Sequence, residues 1–164
     1  MKKIIITIIF IVGLVGILAW LGAINMGNTD RSSTPSGPAV LAAAEKVFDF
    51  GTISMAAGPV KHEFAIKNTA ENKSVITKIY TSCMCTEASL RTMEGISGPF
   101  GMPGHGSVPR VNKKLESGEE AVVEVVFDPA AHGPAGIGAV ERAVYLENDS
   151  GAPLELIIKA TVTP

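Results

Sequence analysis

The sequence predicts an all-β chain: an immunoglobulin-like β-sandwich of about seven strands, preceded by one N-terminal transmembrane helix. Three observations predict it. Apolar and polar residues alternate at period two in several stretches of residues 45–164. Turn signals rich in Gly, Pro and Asn separate those stretches, and no window of helical length shows a 3.6-residue period. Residues 4–24 form one uncharged apolar run behind Lys2 and Lys3.

That run, IIITIIFIVGLVGILAWLGAI, spans roughly 32 Å as a helix, against about 30 Å of bilayer hydrocarbon. Residues 1–24 therefore read as an anchor, or as a cleaved signal if Leu21-Gly22-Ala23 is a cleavage site. No cysteine follows the run, which excludes a lipoprotein signal. Lys2 and Lys3 favour the cytoplasmic side, so the remainder is expected on the extracytoplasmic side of the cytoplasmic membrane. Trp20 suits the far interface. Residues 25–44 begin NMGNTDRSSTPSGPAV, a composition that suits a flexible linker. Residues 45–164 are then one domain, long enough for its own core.

The strands follow in order. "KVFDFGTI" covers 46–53. In "VKHEFAIKN", Val60, His62, Phe64 and Ile66 share one face and Lys61, Glu63 and Lys67 the other. "SVITKIYTSC" covers 74–83, and a short strand is expected after Cys85. In "EEAVVEVVFDP", Val123, Val125 and Phe127 alternate with Val122, Glu124 and Val126. "AVERAVYLEN" covers 139–148. In "LELIIKATV", Leu154, Leu156, Ile158, Ala160 and Val162 oppose Glu155, Lys159 and Thr161. Ala57-Gly58-Pro59, "NTAENKS", Ser117-Gly118-Glu119, "GPAGIG" and "NDSGAP" supply the turns. The irregular piece is 91–114, with five Gly and three Pro, read as an inserted loop and contact surface. On this reading, deleting 92–112 leaves the fold intact.

Five stretches in this order resemble one bacterial family, domain of unknown function 1573: "FDFGTI" (48–53), "VKHEFAIKNTA" (60–70), "TSCMCT" (81–86), "LESGEEAVVEVVFDP" (115–129) and "LELIIKATV" (154–162). The resemblance covers roughly residues 45–163. It implies an immunoglobulin-like domain of the ASH, major sperm protein and Hydin group, exported or membrane-anchored. It implies no activity. The family pattern has Gly between the cysteines, where this chain has Met84, and the 91–114 segment is longer than the pattern.

Cys83 and Cys85 are the only cysteines. In an extended strand they share one face with Cα atoms about 6.6 Å apart. A regular strand does not close a bridge at that spacing, whereas a bulge or turn at Met84 does. Three uses stay open: buried structural thiols, a disulfide or redox couple, and a soft-metal site. For copper(I), Met102 and His105 in "FGMPGHG" join Cys83 and Cys85 as ligands. Zinc needs two further ligands from His62, His105 and His132, and no C-x-x-C or H-x₃-H spacing supports that. His62 reads as a hydrogen-bonded core histidine, and His132, in "DPAAHGP", as a solvated turn residue.

Catalytic motifs are lacking: no G-x-S-x-G elbow, no phosphate loop and no H-E-x-x-H. From residue 41 onward there are 11 Lys/Arg against 15 Asp/Glu, with no basic stripe for nucleic acid. The expectation is a non-enzymatic, membrane-anchored module that uses no cofactor and binds an envelope or protein partner. The alternative is copper(I) or thiol-redox work at Cys83 and Cys85.

Overall fold

Each strand predicted from residue 46 onward is present in the computed structural model, which describes residues 37–104 and 108–164. The predicted anchor at 4–24 and His105 lie outside the described residues. Among those residues no helix is long and apolar enough to cross a membrane.

Ten strands form two five-stranded sheets. They are β1 (Leu41–Ala43), β2 (Val47–Ser54), β3 (Val60–Asn68), β4 (Ser74–Thr81), β5 (Thr86–Thr92), β6 (Gly95–Phe100), β7 (Lys113–Leu115), β8 (Glu120–Phe127), β9 (Gly138–Asn148) and β10 (Leu154–Thr163). One sheet runs β1-β3-β8-β5-β6, the other β2-β10-β9-β4-β7. All pairings are antiparallel except β2 with β10. Period-two alternation is realised as one buried face in β3, β5, β8 and β10. Phe64 and Ile66 of β3 join Val123, Val125 and Phe127 of β8 and Leu90 of β5. From the other sheet come Ile76, Ile79, Val144, Leu146, Leu156, Ile158 and Val162. His62 keeps to the inward face of β3, stacked on Phe48 at 3.6 Å with its Nε2 3.1 Å from Glu45 Oε2.

The expectation of about seven strands is corrected to ten. β1 and β7 have three residues each, too few to show a period. β1 also lies inside the stretch read as linker 25–44. The domain starts earlier because Pro38 and Val40 pack onto the β9–β10 turn, where any Cβ on Gly151 meets the Pro38 carbonyl. β6 falls in the segment read as a structureless loop, 91–114. Its Gly98, with φ of 118°, sits where a Cβ would come within 3.0 Å of the Ala88 carbonyl on β5. Glycine there permits both the backbone angle and the close approach at the irregular β5–β6 register.

Two buried asparagines close turns at strand ends. Asn68 Nδ2 lies 3.0 Å from the carbonyls of Asn72 and Leu115 and 3.1 Å from that of Glu116, and its Oδ1 accepts from Ala70 N at 3.0 Å. Asn148 Oδ1 accepts from Ser150 N and Gly151 N. Beside it, Asp149 accepts from Ser150 Oγ at 2.6 Å and Val75 N at 2.9 Å. These donors, the Ser150 hydroxyl foremost, hold the Asp149 carboxyl below its usual range. A depressed folded-state pKa adds stability above the unfolded value, and that stability fades as pH falls below about 4. Asp149→Asn is therefore expected to lower the urea midpoint at pH 7, with the gap to wild type narrowing at pH 3. A gap that stays constant between those pH values would contradict this assignment.

Candidate functional site

The two cysteines lie where the chain crosses from one sheet to the other. β4 ends at Thr81 in the second sheet and β5 begins at Thr86 in the first, leaving residues 82–85 to make the crossing. Ser82 stays tied to β9: its N–H donates to the Ala143 carbonyl at 2.9 Å, and its hydroxyl accepts from Ala143 N at 2.9 Å. The chain then turns, with Thr86 N donating to the Cys83 carbonyl at 3.2 Å. The buried Thr81 hydroxyl lies 2.9 Å from the carbonyls of both Cys83 and Thr86. Asp128 N donates to the Cys85 carbonyl at 2.9 Å, which attaches the far side of the turn to the end of β8.

This turn shortens the Cys83–Cys85 Cα separation to 5.3 Å, and the two sulfurs are joined as a disulfide. That separation falls within the usual range for a bridge, which the extended spacing of about 6.6 Å does not favour. Met84, at the crest, is exposed. Cys85 is buried and Cys83 half-buried. Of the readings left open by the sequence, the structure takes the disulfide, closed by a turn at Met84.

Two basic side chains flank the bridge. His132 Nε2 is 3.1 Å from Cys83 Sγ. It comes from the turn after β8, which Asp128 organises by accepting from Ala130 N at 2.8 Å. Arg142, on β9, donates from Nε to Cys85 Sγ at 3.2 Å. Its Nη1 donates to the Glu141 carbonyl at 2.8 Å, which helps hold the guanidinium in place. His132 and Arg142 also line one open hollow of about 370 Å³, together with Gly136, Ile137, Val140 and Glu141. Glu141 is engaged with Lys159 at 2.9 Å.

The chemical consequence is direct. A bridge beside a guanidinium and an imidazole has one fixed cation, on Arg142, and one hydrogen-bonding ring, on His132, beside any thiolate released when it opens. The open hollow borders the two flanking side chains and not the sulfurs themselves.

The copper set read from the sequence is seen together only at its two sulfurs. Met102 lines another hollow, beside Ile79, Pro99, Phe100 and Pro109. His105 lies outside the described residues. The additions that sequence reasoning missed are His132 as a contact of the bridge and Arg142. His132 is 49 positions from Cys83, and nothing local links the two. Arg142 left a faint signal. It shares the inward parity of Val140, Val144 and Leu146 on β9, so it is a charge on a core-facing register at the sandwich end.

Residues 41–98 match the model of the family described as "Protein of unknown function (DUF1573)", which bears out the family resemblance over that stretch. No curated protein matches the sequence. A protein of unknown function from Porphyromonas gingivalis W83 shares the fold, with a TM-score of 0.54 and 11% identity over 82% of this chain and 51% of that one. The secreted serine protease VesC from Vibrio cholerae matches at a TM-score of 0.47 and 12% identity, over 76% of this chain and 24% of the protease. The ASH/PapD-like domain 7 of human CEP192 matches at a TM-score of 0.40 and 14% identity, over 76% of this chain and 85% of that domain. This chain thus spans about half of the Porphyromonas protein and about a quarter of the protease. At these identities the likenesses concern fold alone.

Proposed function

We propose that this chain is a membrane-tethered immunoglobulin-like module on the extracytoplasmic side of the cytoplasmic membrane, non-enzymatic, whose working element is a reversible disulfide at Cys83–Cys85. The apolar run 4–24 and the Ser/Pro/Gly-rich stretch behind it support the tether. The partner is a dithiol protein of the envelope. One observation carries the redox reading: the bridge joins residues two apart at the end of the sandwich, between His132 and Arg142.

A staple gains most from closing a long loop. Chain entropy assigns a three-residue loop about 1.6 kcal/mol, against about 3 for fifteen residues. The Cys83–Cys85 bridge therefore adds little to stability, and the Arg142 guanidinium beside Cys85 Sγ favours the opened state.

The exchange balances simply. A partner thiolate attacks Sγ of Cys83, the less buried of the two residues. The S–S bond breaks, and Cys85 leaves as a thiolate beside Arg142 Nε. The partner's second thiolate then attacks the mixed disulfide and releases Cys83. Two electrons pass to this chain, each of its thiolates takes up a proton as the solution pH requires, and the partner dithiol becomes a disulfide.

Equilibration in glutathione buffers, with acid quench, alkylation and mass measurement, tests this. The midpoint is expected to be more oxidising than about −300 mV, the region below which structural bridges lie. A midpoint below that value would make the bridge a staple. In intact cells after mild reduction, a membrane-impermeant maleimide should label both cysteines. Labelling only after lysis would remove the outward placement.

A further inference from the structure

We propose that the opened pair, Cys83 and Cys85, forms a copper(I) site with His132 as third ligand. The inference rests on the reversible bridge above and adds what the opened state binds.

Three ligand atoms converge at this corner: the two sulfurs and a nitrogen of His132 lie within 4.8 Å of one another. With metal–ligand bonds of roughly 2.0–2.3 Å, a trigonal ion places its ligands about 3.5–4 Å apart. The Cα separation of 5.3 Å lets the sulfurs part to that distance once the bond between them is gone. The imidazole Nε2 already stands 3.1 Å from Cys83 Sγ and comes from a separate turn, so the three ligands enclose a point instead of lying along one strand. His132 is exposed and lines the open hollow of about 370 Å³, so one of the three ligands is reached directly from solvent.

Charge and ligand type select the ion. Two thiolates and an imidazole are a soft set, suited to copper(I). Structural zinc takes four ligands, and the cluster among the described residues contains three. Glu141 lines the same hollow, but its carboxylate is paired with Lys159. Arg142 decides further. Two thiolates around a monovalent cation leave one net negative charge, which the guanidinium 3.2 Å from Cys85 Sγ offsets. Around a divalent cation the thiolate charge is already cancelled, and the same guanidinium opposes the metal.

Binding releases up to two thiol protons and moves no electrons. The copper enters and stays as copper(I). The bridged form offers no thiolate, so the site exists only after a dithiol has reduced it. Copper occupancy would thereby report the redox state of the pair.

The test uses the full chain in detergent under anaerobic conditions. The chain is reduced with dithiothreitol, desalted, counted for thiols, and titrated with copper(I) against a chromophoric copper(I) chelator. One copper per reduced chain is expected, and none on the oxidised chain. His132→Ala should weaken the affinity at least tenfold, with an unchanged far-ultraviolet spectrum, whereas Met102→Ala should not. Two thiols with no copper bound would overturn this inference and leave the reversible bridge standing. No thiols after reduction would overturn both. Full affinity in His132→Ala, or a loss in Met102→Ala instead, would overturn the assignment of His132.

Discussion

Asn68→Ala is expected to lower the unfolding free energy by about 3 kcal/mol, a large share of the roughly 5–15 kcal/mol that holds a domain folded. Asn68 is fully buried at the end of β3. Its amide nitrogen faces three backbone carbonyls, those of Asn72, Leu115 and Glu116, and its carbonyl oxygen accepts from Ala70 N. Alanine removes the donors and the acceptor together. The Leu115 carbonyl is left at a buried contact, where an unsatisfied polar group costs about 1–3 kcal/mol. Asn68 also ties the β3–β4 turn to β7, so the loss falls on both sheets. Urea unfolding of the variant checks the value. A change below about 1 kcal/mol would mean that water or a relaxed turn replaces the side chain.

Deleting residues 92–112 is expected to destabilise the domain by about 3–6 kcal/mol, in contrast to the tolerance expected from the sequence. The segment contains β6, the outer partner of β5. It also carries Phe100 and Val111, both packed against the core. Both are partly buried, and removing them uncovers the core beneath; full burial of one such side chain is worth about 1.5–3 kcal/mol. The backbone is engaged too. Val111 N donates to the Thr77 carbonyl at 2.9 Å, and the Gly101 carbonyl accepts from Thr81 N at 3.2 Å. These bonds extend the edge of β4 toward the cysteine turn. The deletion should therefore abolish cooperative thermal unfolding or lower its midpoint sharply. A variant that unfolds like the parent would show that 92–112 is a dispensable insertion.

The long strands were legible because a buried face repeats every second residue. β3, β8 and β10 each show that period over eight or more residues, and each buries the face it predicts. β6 was not legible. Its Gly95, Gly98 and Pro99 read as loop, and its place depends on a close backbone approach to β5 that no local pattern encodes. The candidate site divides the same way. The spacing of Cys83 and Cys85 posed the question of closure, and the turn at Met84 was the condition for a bridge. That the turn forms follows from the Thr81 hydroxyl and from ties to Ala143 and Asp128, partners remote in sequence.

By itself, the sequence determined a two-faced all-β domain, an apolar N-terminal run and one closely spaced pair of cysteines. Those are local properties: hydropathy at a fixed period, length of an apolar segment, and residue spacing. Only the tertiary structure decided that the pair is bridged and that His132 and Arg142 stand against its two sulfurs. A histidine from the turn after β8 and an arginine on β9 meet the cysteines because four strand ends converge at one end of the sandwich. Such convergence is set by strand order and register, which arise from packing two faces together and leave no mark at any single position of the chain.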